Sequence, residues 1–208
     1  MKNLYQAYID AIKTTLAAGR TGVTEDGEEV ITRSYPLLER FDPILVYDYP
    51  PGLGVNSINE YIKQFNCPNK GGFDYTYGNR IRAYFGFDQL EFCYQLLKDS
   101  PLTRRAIITL NDQVNDRYMK NKPCMQFIQF YFTNDRLKCF ALFRSHDILS
   151  AWFANACAIS SMAKDLAKKL NYEGPIEVEI CSVIPHIYYK RDADVLEAVA
   201  RKEGFEPL

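Results

Sequence analysis

The chain has few of the features that are typical of zinc-binding proteins, nucleic-acid-binding proteins or transmembrane proteins. Its 208 residues include only two histidines, and none of its six cysteines forms a CxxC pair, so the sequence predicts no metal site. Lysine and arginine number 25 against 26 acidic residues, which leaves no positive excess for coating DNA, RNA or an acidic membrane. No apolar run reaches the length of a membrane span. We therefore expect neither a nucleic-acid nor a membrane partner, and any anion site must be a local cluster of arginines.

The first residues also lack the pattern of a secretion signal. Polar side chains are spread throughout MKNLYQAYIDAIKTT, which contains no uninterrupted apolar stretch. The cysteines, at positions 67, 93, 124, 139, 157 and 181, are then expected to be free thiols in a reducing compartment. The sequence thus predicts a cytoplasmic protein.

Helical and strand patterns follow one another irregularly along the chain. Four segments have apolar residues at helical spacing: 2–18, 88–98, 147–170 and 192–202. Strand patterns cover 106–110, 125–133, 137–143, 175–183 and the segment ILVYDYPPG, with a hairpin turn over T-N-D-R. Because there is no strict βα repeat and no linker, the pattern predicts a single α+β domain over 1–208. We expect one mixed or antiparallel sheet packed against helices.

Two segments in the middle of the chain carry residue types suited to chemistry, and each has a structural alternative. Cys124 follows Pro123 at the start of a predicted strand, where it is either a nucleophile or a core residue. Arg104 and Arg105 precede another strand. They form either a phosphate clamp, since two guanidinium groups offer forked donors, or solvated surface charge.

Two further segments follow predicted strands. Arg144 and Ser145 stand in F-R-S-H-D before a long helix, and helix N-termini favour anions. Ser145 or Asp147 could also cap this helix, and a cap is compatible with an anion site. In P-H-I-Y, His186 and Tyr188 share one face at a strand end, where they either bind a sugar hydroxyl or are structural.

Together these segments resemble the thymidylate synthases. K-P-C-M-Q-F-I-Q-F-Y is similar to the family's Pro-Cys and following strand, and its Arg-Ser-x-Asp comes 20 residues after the cysteine, at Arg144. The family's nucleotide-reading Asn lies 11 residues further on, at Asn155, and its paired arginines lie 20 residues before the cysteine, at Arg104. His-x-Tyr, Y-G-N-R-I-R at 77–82 and R-T-G at 20–22 also resemble family motifs. The compact form looks most like the short archaeal-type branch.

The resemblance implies a fold, an assembly and a set of roles. The fold would be thymidylate synthase-like, in a sheet-mediated homodimer whose partner supplies Arg104 and Arg105. Catalytic roles fall on Cys124, Tyr77 and Glu60, with Tyr77 helping proton transfer at C5. The residues implied to bind the nucleotide are Arg20, Arg104, Arg105, Arg144, Ser145, Asn155, His186 and Tyr188. Arg33 competes with Arg20 for the phosphate, and Asp147 would contact the folate pterin.

The implied reaction explains why these residue types are needed. A thiolate that adds to C6 of uracil makes C5 a nucleophile, which divides one difficult step into easier ones. The cofactor 5,10-methylenetetrahydrofolate would supply the one-carbon unit and the hydride that convert dUMP to dTMP. Cys124 must ionise first, and we expect nearby arginines to lower its pKa.

The cofactor half of the pattern departs from the family. Met125 replaces the His that commonly follows the cysteine, the single tryptophan is Trp152, and Ala151 and Ala154 stand where the family has Gly and Phe. The segment G-F-E-P-L does not resemble the family's apolar tail. These departures leave open a 5-hydroxymethylase acting on dUMP, dCMP or CMP, with water in place of hydride, and a regulatory module that binds nucleotide only. Asn155 favours uracil, because the related deoxycytidylate enzymes carry Asp there.

Overall fold

The computed structural model describes residues 1–43, 48–133 and 136–207. Within these residues the helices are α1 (Leu4–Ala18), α2 (Val55–Asn66), α3 (Tyr77–Arg82), α4 (Gln89–Asp99), α5 (Gln113–Asp116), α6 (Trp152–Lys169) and α7 (Ala193–Glu203). The strands are β1 (Gly19–Val23), β2 (Glu29–Arg33), β3 (Leu37–Phe41), β4 (Ile107–Thr109), β5 (Met125–Thr133), β6 (Arg136–Phe143), β7 (His146–Asp147), β8 (Ile176–Ser182) and β9 (Pro185–Ile187). No helix among the described residues is long and apolar enough to cross a membrane.

The strands form two sheets, and the predicted α+β class is confirmed. The larger sheet has five strands in the order β3-β8-β6-β5-β4, and it is mixed because β6 and β8 run parallel while its other pairs are antiparallel. The smaller sheet has four strands in the order β1-β2-β9-β7. The expectation of one sheet was wrong, because the chain leaves the larger sheet after β8 and β9 then pairs with β2 and β7.

The core lies between the larger sheet and the helices α1 and α6. Trp152 is fully buried there, with its ring 5.6 Å from that of Phe41 and 6.3 Å from that of Tyr8. The Tyr8 hydroxyl donates a hydrogen bond of 2.8 Å to the Leu149 carbonyl. The single tryptophan therefore fills the core.

The opposite face of the larger sheet carries partly exposed apolar side chains. Burial alternates along β6, so that Phe140 and Leu142 point away from the core, and Phe127 of β5 lies opposite Leu142. At one end of this face, Lys138 forms ion pairs of 2.7 and 2.9 Å with Glu177 and Glu179. The face thus combines apolar area with paired charges.

Most predicted elements are present, but the long helix begins later than expected. The helix predicted over 147–170 starts at Trp152, because Asp147 belongs to β7 and its carboxylate accepts from the Ser150 backbone N–H at 3.0 Å. The hairpin of β1 and β2, strand β3 and helices α2 and α3 were not predicted. In the predicted strand ILVYDYPPG, residues 44–47 lie outside the described residues, as do 134 and 135 of the turn T-N-D-R.

Candidate active site

A cavity of about 740 Å³ lies beside the residues that precede β5 and follow β6. Its volume is in the range of small-molecule sites. Eight of the predicted site residues line it: Tyr77, Cys124, Arg144, Ser145, Asp147, Asn155, His186 and Tyr188. The structure therefore brings together residues that are spread over more than half of the sequence.

Cys124 lies half-buried in the cavity wall, at the entrance to β5. Its carbonyl oxygen accepts a hydrogen bond of 2.8 Å from the Arg144 backbone N–H, which ties the start of β5 to the end of β6. Burial raises the pKa of the Cys124 thiol, and Asp147 raises it further, while Arg144 opposes both effects. The expectation that arginines lower this pKa therefore holds only for the contribution of Arg144, which burial outweighs in the single chain.

Tyr77 lies beside Cys124 at the first position of α3. The Met125 backbone N–H donates to its hydroxyl oxygen at 3.3 Å. Burial raises the pKa of Tyr77 well above its usual value, so the phenol keeps its proton. Glycine is required after Tyr77, because a Cβ on residue 78 would collide with the backbone carbonyls at the end of α2. This close packing fixes where Tyr77 enters the cavity.

Asn155 joins a buried hydrogen-bond network on α6 that the sequence did not reveal. Its Oδ1 accepts from the Tyr61 hydroxyl at 2.6 Å, and its Nδ2 lies 3.0 Å from His146 Nε2. His146 Nδ1 in turn lies 2.9 Å from the Ser182 hydroxyl. Tyr61 carried no signal, because it belongs to a segment in which no helix was predicted. His146 was visible only as the variable position of Arg-Ser-x-Asp.

His186 of β9, Tyr188 just after it and Ser145 before β7 form another wall of the cavity. The Ser145 hydroxyl lies 3.3 Å from His186 Nδ1, which is also 3.1 Å from the Ile184 carbonyl oxygen. The rings of His186 and Tyr188 meet edge to face at 5.0 Å. Burial lowers the pKa of His186, so a neutral imidazole faces the cavity at pH 7.

Asp147 is engaged by a residue that the sequence analysis missed. Arg191 donates to its Oδ2 at 2.7 Å and lies over the Tyr188 ring at 4.0 Å. Asp192 shares the same guanidinium, with contacts of 2.8 and 2.5 Å. No motif pointed to Arg191, because it acts on Asp147 only after the chain has folded β9 against β7.

Among the described residues of a single chain, the lining of the cavity has no excess of positive charge. Its basic lining residues are Lys120, Lys122, Arg144 and Arg191, and its acidic ones are Glu25, Asp26, Glu28 and Asp147. The Arg144 side chain also donates hydrogen bonds to the Lys122 and Pro123 carbonyls, at 2.9 and 3.1 Å. A phosphate dianion therefore requires further cations to balance it.

Four predicted residues do not line this cavity: Glu60, Arg20, Arg104 and Arg105. Glu60 lies on α2 with its side chain 72% exposed and paired with Lys63 at 2.6 Å. Arg20 is exposed on β1, and Arg33 donates to the Pro36 carbonyl at 3.3 Å. Arg104 and Arg105 are exposed just ahead of β4. The roles of these residues stay predictions.

Comparison with known proteins identifies the family. Residues 53–207 match the sequence model described as Thymidylate synthase. A protein named "Putative thymidylate synthase" from Methanothermobacter thermautotrophicus is 39% identical over 131 residues, which are 63% of this chain and 59% of the relative. The Methanothermobacter marburgensis protein of the same name is 38% identical over 63% of this chain and 58% of its own length.

A third relative of that name, from Methanocaldococcus jannaschii, is 28% identical over 92% of this chain and 90% of its own length. The matched part of the chain spans less than two thirds of the length of the two Methanothermobacter proteins. Because the family model covers most of the described residues, and the predicted nucleophile lies in the cavity with its expected neighbours, the chain belongs to the thymidylate synthase family.

Proposed function

We propose that the chain converts dUMP to dTMP, with 5,10-methylenetetrahydrofolate as co-substrate and Cys124 as the nucleophile. One observation carries this proposal above the others. Cys124, Asn155 and the His186–Tyr188 pair converge on one cavity, as a site for a thiol-reactive pyrimidine nucleotide requires. Membership of the thymidylate synthase family supports the same class of reaction.

The first step is addition of the Cys124 thiolate to C6 of the base. The C5–C6 electron pair then moves toward C5 and O4, and the Asn155 amide stabilises the O4 end with a hydrogen bond. Arg144 favours the thiolate form, and His186 and Tyr188 hold the sugar. Tyr77 keeps its proton and helps to orient the transfer of the C5 proton.

The co-substrate site is the part of the cavity around Asp147. When bound, methylenetetrahydrofolate supplies the one-carbon unit and the hydride. A carboxylate is a suitable acceptor for the amino and ring N–H groups of a pterin, so Asp147 fits this group chemically. Arg191 competes with the pterin for Asp147, because its guanidinium group pairs with the same carboxylate at 2.7 Å.

A homodimer would complete the phosphate site. The single chain balances its cavity charges, whereas Arg104 and Arg105 are exposed next to β4, the edge strand of the sheet whose outer face carries Phe127, Phe140 and Leu142. We propose that two chains pair through this face and that each lends Arg104 and Arg105 to the other's cavity.

Mixing two inactive variants tests this assembly. Cys124→Ala lacks the nucleophile, and Arg104→Ala/Arg105→Ala lacks the arginines that act in trans. If subunits exchange freely in an equal mixture, half of the dimers are mixed and each has one intact site of two, so activity returns to about a quarter of the wild-type value. A mixture that stays inactive, although size-exclusion chromatography shows exchange, contradicts arginines acting in trans.

Hydroxymethylation is the second candidate function. The acidic turn between β1 and β2 and the exposed Lys120 contribute to the cavity wall. Such hydrated groups would allow water to reach an exocyclic methylene group, which would give a 5-hydroxymethyl product from dUMP, dCMP or CMP.

Mass analysis of the product distinguishes these functions. The protein is incubated with methylenetetrahydrofolate and each of dUMP, dCMP, UMP and CMP in turn. We expect a 5-methyl product and dihydrofolate from dUMP. A 5-hydroxymethyl product with tetrahydrofolate would instead establish the hydroxymethylase. Tight nucleotide binding with no product from any nucleotide would reduce the chain to a binding module.

A further inference from the structure

The side-chain amide of Asn155 is held at both ends by residues to which the family resemblance assigns no role. Tyr61 lies 2.6 Å from Oδ1, and His146 Nε2 lies 3.0 Å from Nδ2. Asn155 is only 4% exposed, His146 is only 2% exposed and Tyr61 is partly buried, so water has limited access to these hydrogen bonds. Asn155 still lines the cavity, with part of its hydrogen-bonding capacity left for a ligand.

The length of the Tyr61 contact shows which atom of the Asn155 amide faces Tyr61. A separation of 2.6 Å is typical of O–H···O and short for N–H···O, so the Tyr61 hydroxyl donates to Oδ1. Among the described residues, Asn155 is also the only hydrogen-bond partner of Tyr61. Turning the amide would therefore leave the proton of the partly buried Tyr61 hydroxyl without an acceptor in the protein.

His146 secures the other end. Burial lowers the pKa of His146 well below its usual value, so the imidazole is neutral and has one N–H and one lone pair. When Nδ1–H donates to the Ser182 hydroxyl, Nε2 accepts from Asn155 Nδ2. Phe143 stacks on the imidazole with ring centres 3.8 Å apart and 10° between the planes, which fixes the direction of both nitrogens.

We propose that Tyr61 and His146 are positioning residues that hold the Asn155 amide in one orientation, so that the site accepts uracil and rejects cytosine. The amide has one Nδ2–H and one Oδ1 lone pair left, which match O4 and N3–H of uracil. Cytosine presents N4–H and the N3 lone pair instead, so it requires the opposite orientation.

This inference rests on the proposed function in one respect. Because Cys124 must reach C6 and the phosphate is held separately, the base cannot turn over to suit the amide. The amide would have to turn, and it could do so only by breaking the hydrogen bonds to Tyr61 and His146. The base preference is thus assigned to residues that need not touch the base.

The test compares the dissociation constants of dUMP and dCMP by calorimetry, which needs no turnover. Two mismatched hydrogen bonds predict that the wild-type protein binds dUMP at least about 30-fold more tightly than dCMP. Tyr61→Phe removes one of the two hydrogen bonds that hold the amide, so turning it costs less free energy and the ratio falls about 10-fold. Tyr8→Phe is the matched control, because it removes another buried tyrosine hydroxyl, the one that donates to the Leu149 carbonyl at 2.8 Å, and should leave the ratio unchanged.

The ratio separates positioning from a general structural effect. Equal weakening of both nucleotides by Tyr61→Phe, a wild-type ratio near one, or binding of neither nucleotide overturns the inference. Preference for dUMP that depends on Tyr61, without any product, leaves the inference standing and overturns the proposed function.

A second measurement needs no ligand. The chain has two histidines, so ¹⁵N-histidine spectra with His186→Asn for assignment report the tautomer of His146 directly. We expect the proton on Nδ1 and a lone pair on Nε2. A proton on Nε2 would mean that the amide faces the other way, which contradicts the inference.

Discussion

The buried ion pair of Arg80 and Asp116 should be one of the most sensitive points for stability in this fold. The two side chains are 2% and 1% exposed, and Arg80 Nη2 donates to Asp116 Oδ1. Asp116 Oδ2 also accepts from the Asp112 backbone N–H at 2.8 Å. Because Asp116 ends α5 and the chain then leads to Cys124, the pair anchors the segment that carries the nucleophile.

Arg80→Met removes the charge but keeps most of the side-chain volume. The Asp116 carboxylate is then buried without its cation, and breaking one side of a buried pair costs about 3–5 kcal/mol. For a chain of this size, each kcal/mol lowers the melting temperature by about 2–4 °C, so we expect a fall of roughly 6–20 °C. Replacing both residues, in Arg80→Met/Asp116→Leu, leaves no unpaired charge and should restore part of this loss.

Arg82→Met is the matched control on the same helix. Arg82 pairs with Asp88 at 3.0 Å, but these side chains are 24% and 36% exposed, so the loss should stay below about 1 kcal/mol. Urea unfolding of the four proteins measures the free energies. An Arg80→Met protein as stable as Arg82→Met, or a double variant no more stable than Arg80→Met, would refute the reasoning.

Three further predictions concern packing and protonation. Gly78→Ala should lower the unfolding free energy by about 1–3 kcal/mol, because the new Cβ collides with backbone carbonyls. The Cβ of Gly72→Ala would have no neighbours within 4 Å, so this control should be close to the wild type in stability. Equal melting temperatures of the two variants would contradict this. His146 is neutral in the folded protein and protonates in the unfolded protein, because burial lowers its folded pKa. The free energy of unfolding should therefore fall by up to about 2 kcal/mol from pH 6.5 to pH 5. His146→Phe should reduce this pH dependence, measured as the urea midpoint. Because burial raises the pKa of Cys124, its alkylation by iodoacetamide should titrate at higher pH than in the unfolded protein, and at still higher pH in Arg144→Gln; a midpoint below that of the unfolded thiol would contradict this.

The sequence predicted well those elements whose patterns are local. Strands β5 and β6 and helix α1 follow from period-two and helical spacing of apolar residues, and Asp88 caps α4 with contacts of 3.0 Å to two backbone N–H groups. The smaller sheet was missed because its strands are short or exposed: β1 has no buried residue, and β7 and β9 have only two and three residues. Such strands are held by their partners and carry little pattern of their own.

The residues of the candidate site show the same difference between local sequence patterns and contacts formed only on folding. Cys124, Arg144 and Asn155 were identified from the resemblance of their motifs and spacings to those of the thymidylate synthases, and all three line the cavity. Tyr61 and Arg191 were not, because each reaches the site through a contact between segments far apart in sequence, at separations of 94 and 44 residues. Residues that belong to a motif are therefore visible in the sequence, whereas residues that contact the motif only in the folded chain are not.

Release of tritium from C5-tritiated dUMP tests the central claim most directly. Exchange at C5 requires a covalent adduct at C6, so release reports attack by the thiolate whatever the later steps are. We predict release by the wild-type protein with methylenetetrahydrofolate, and none by Cys124→Ala at equal protein concentration and unchanged melting temperature. Release by Cys124→Ala at the wild-type rate, or no release by the wild-type protein from any pyrimidine nucleotide, would contradict the assignment of Cys124 as the nucleophile.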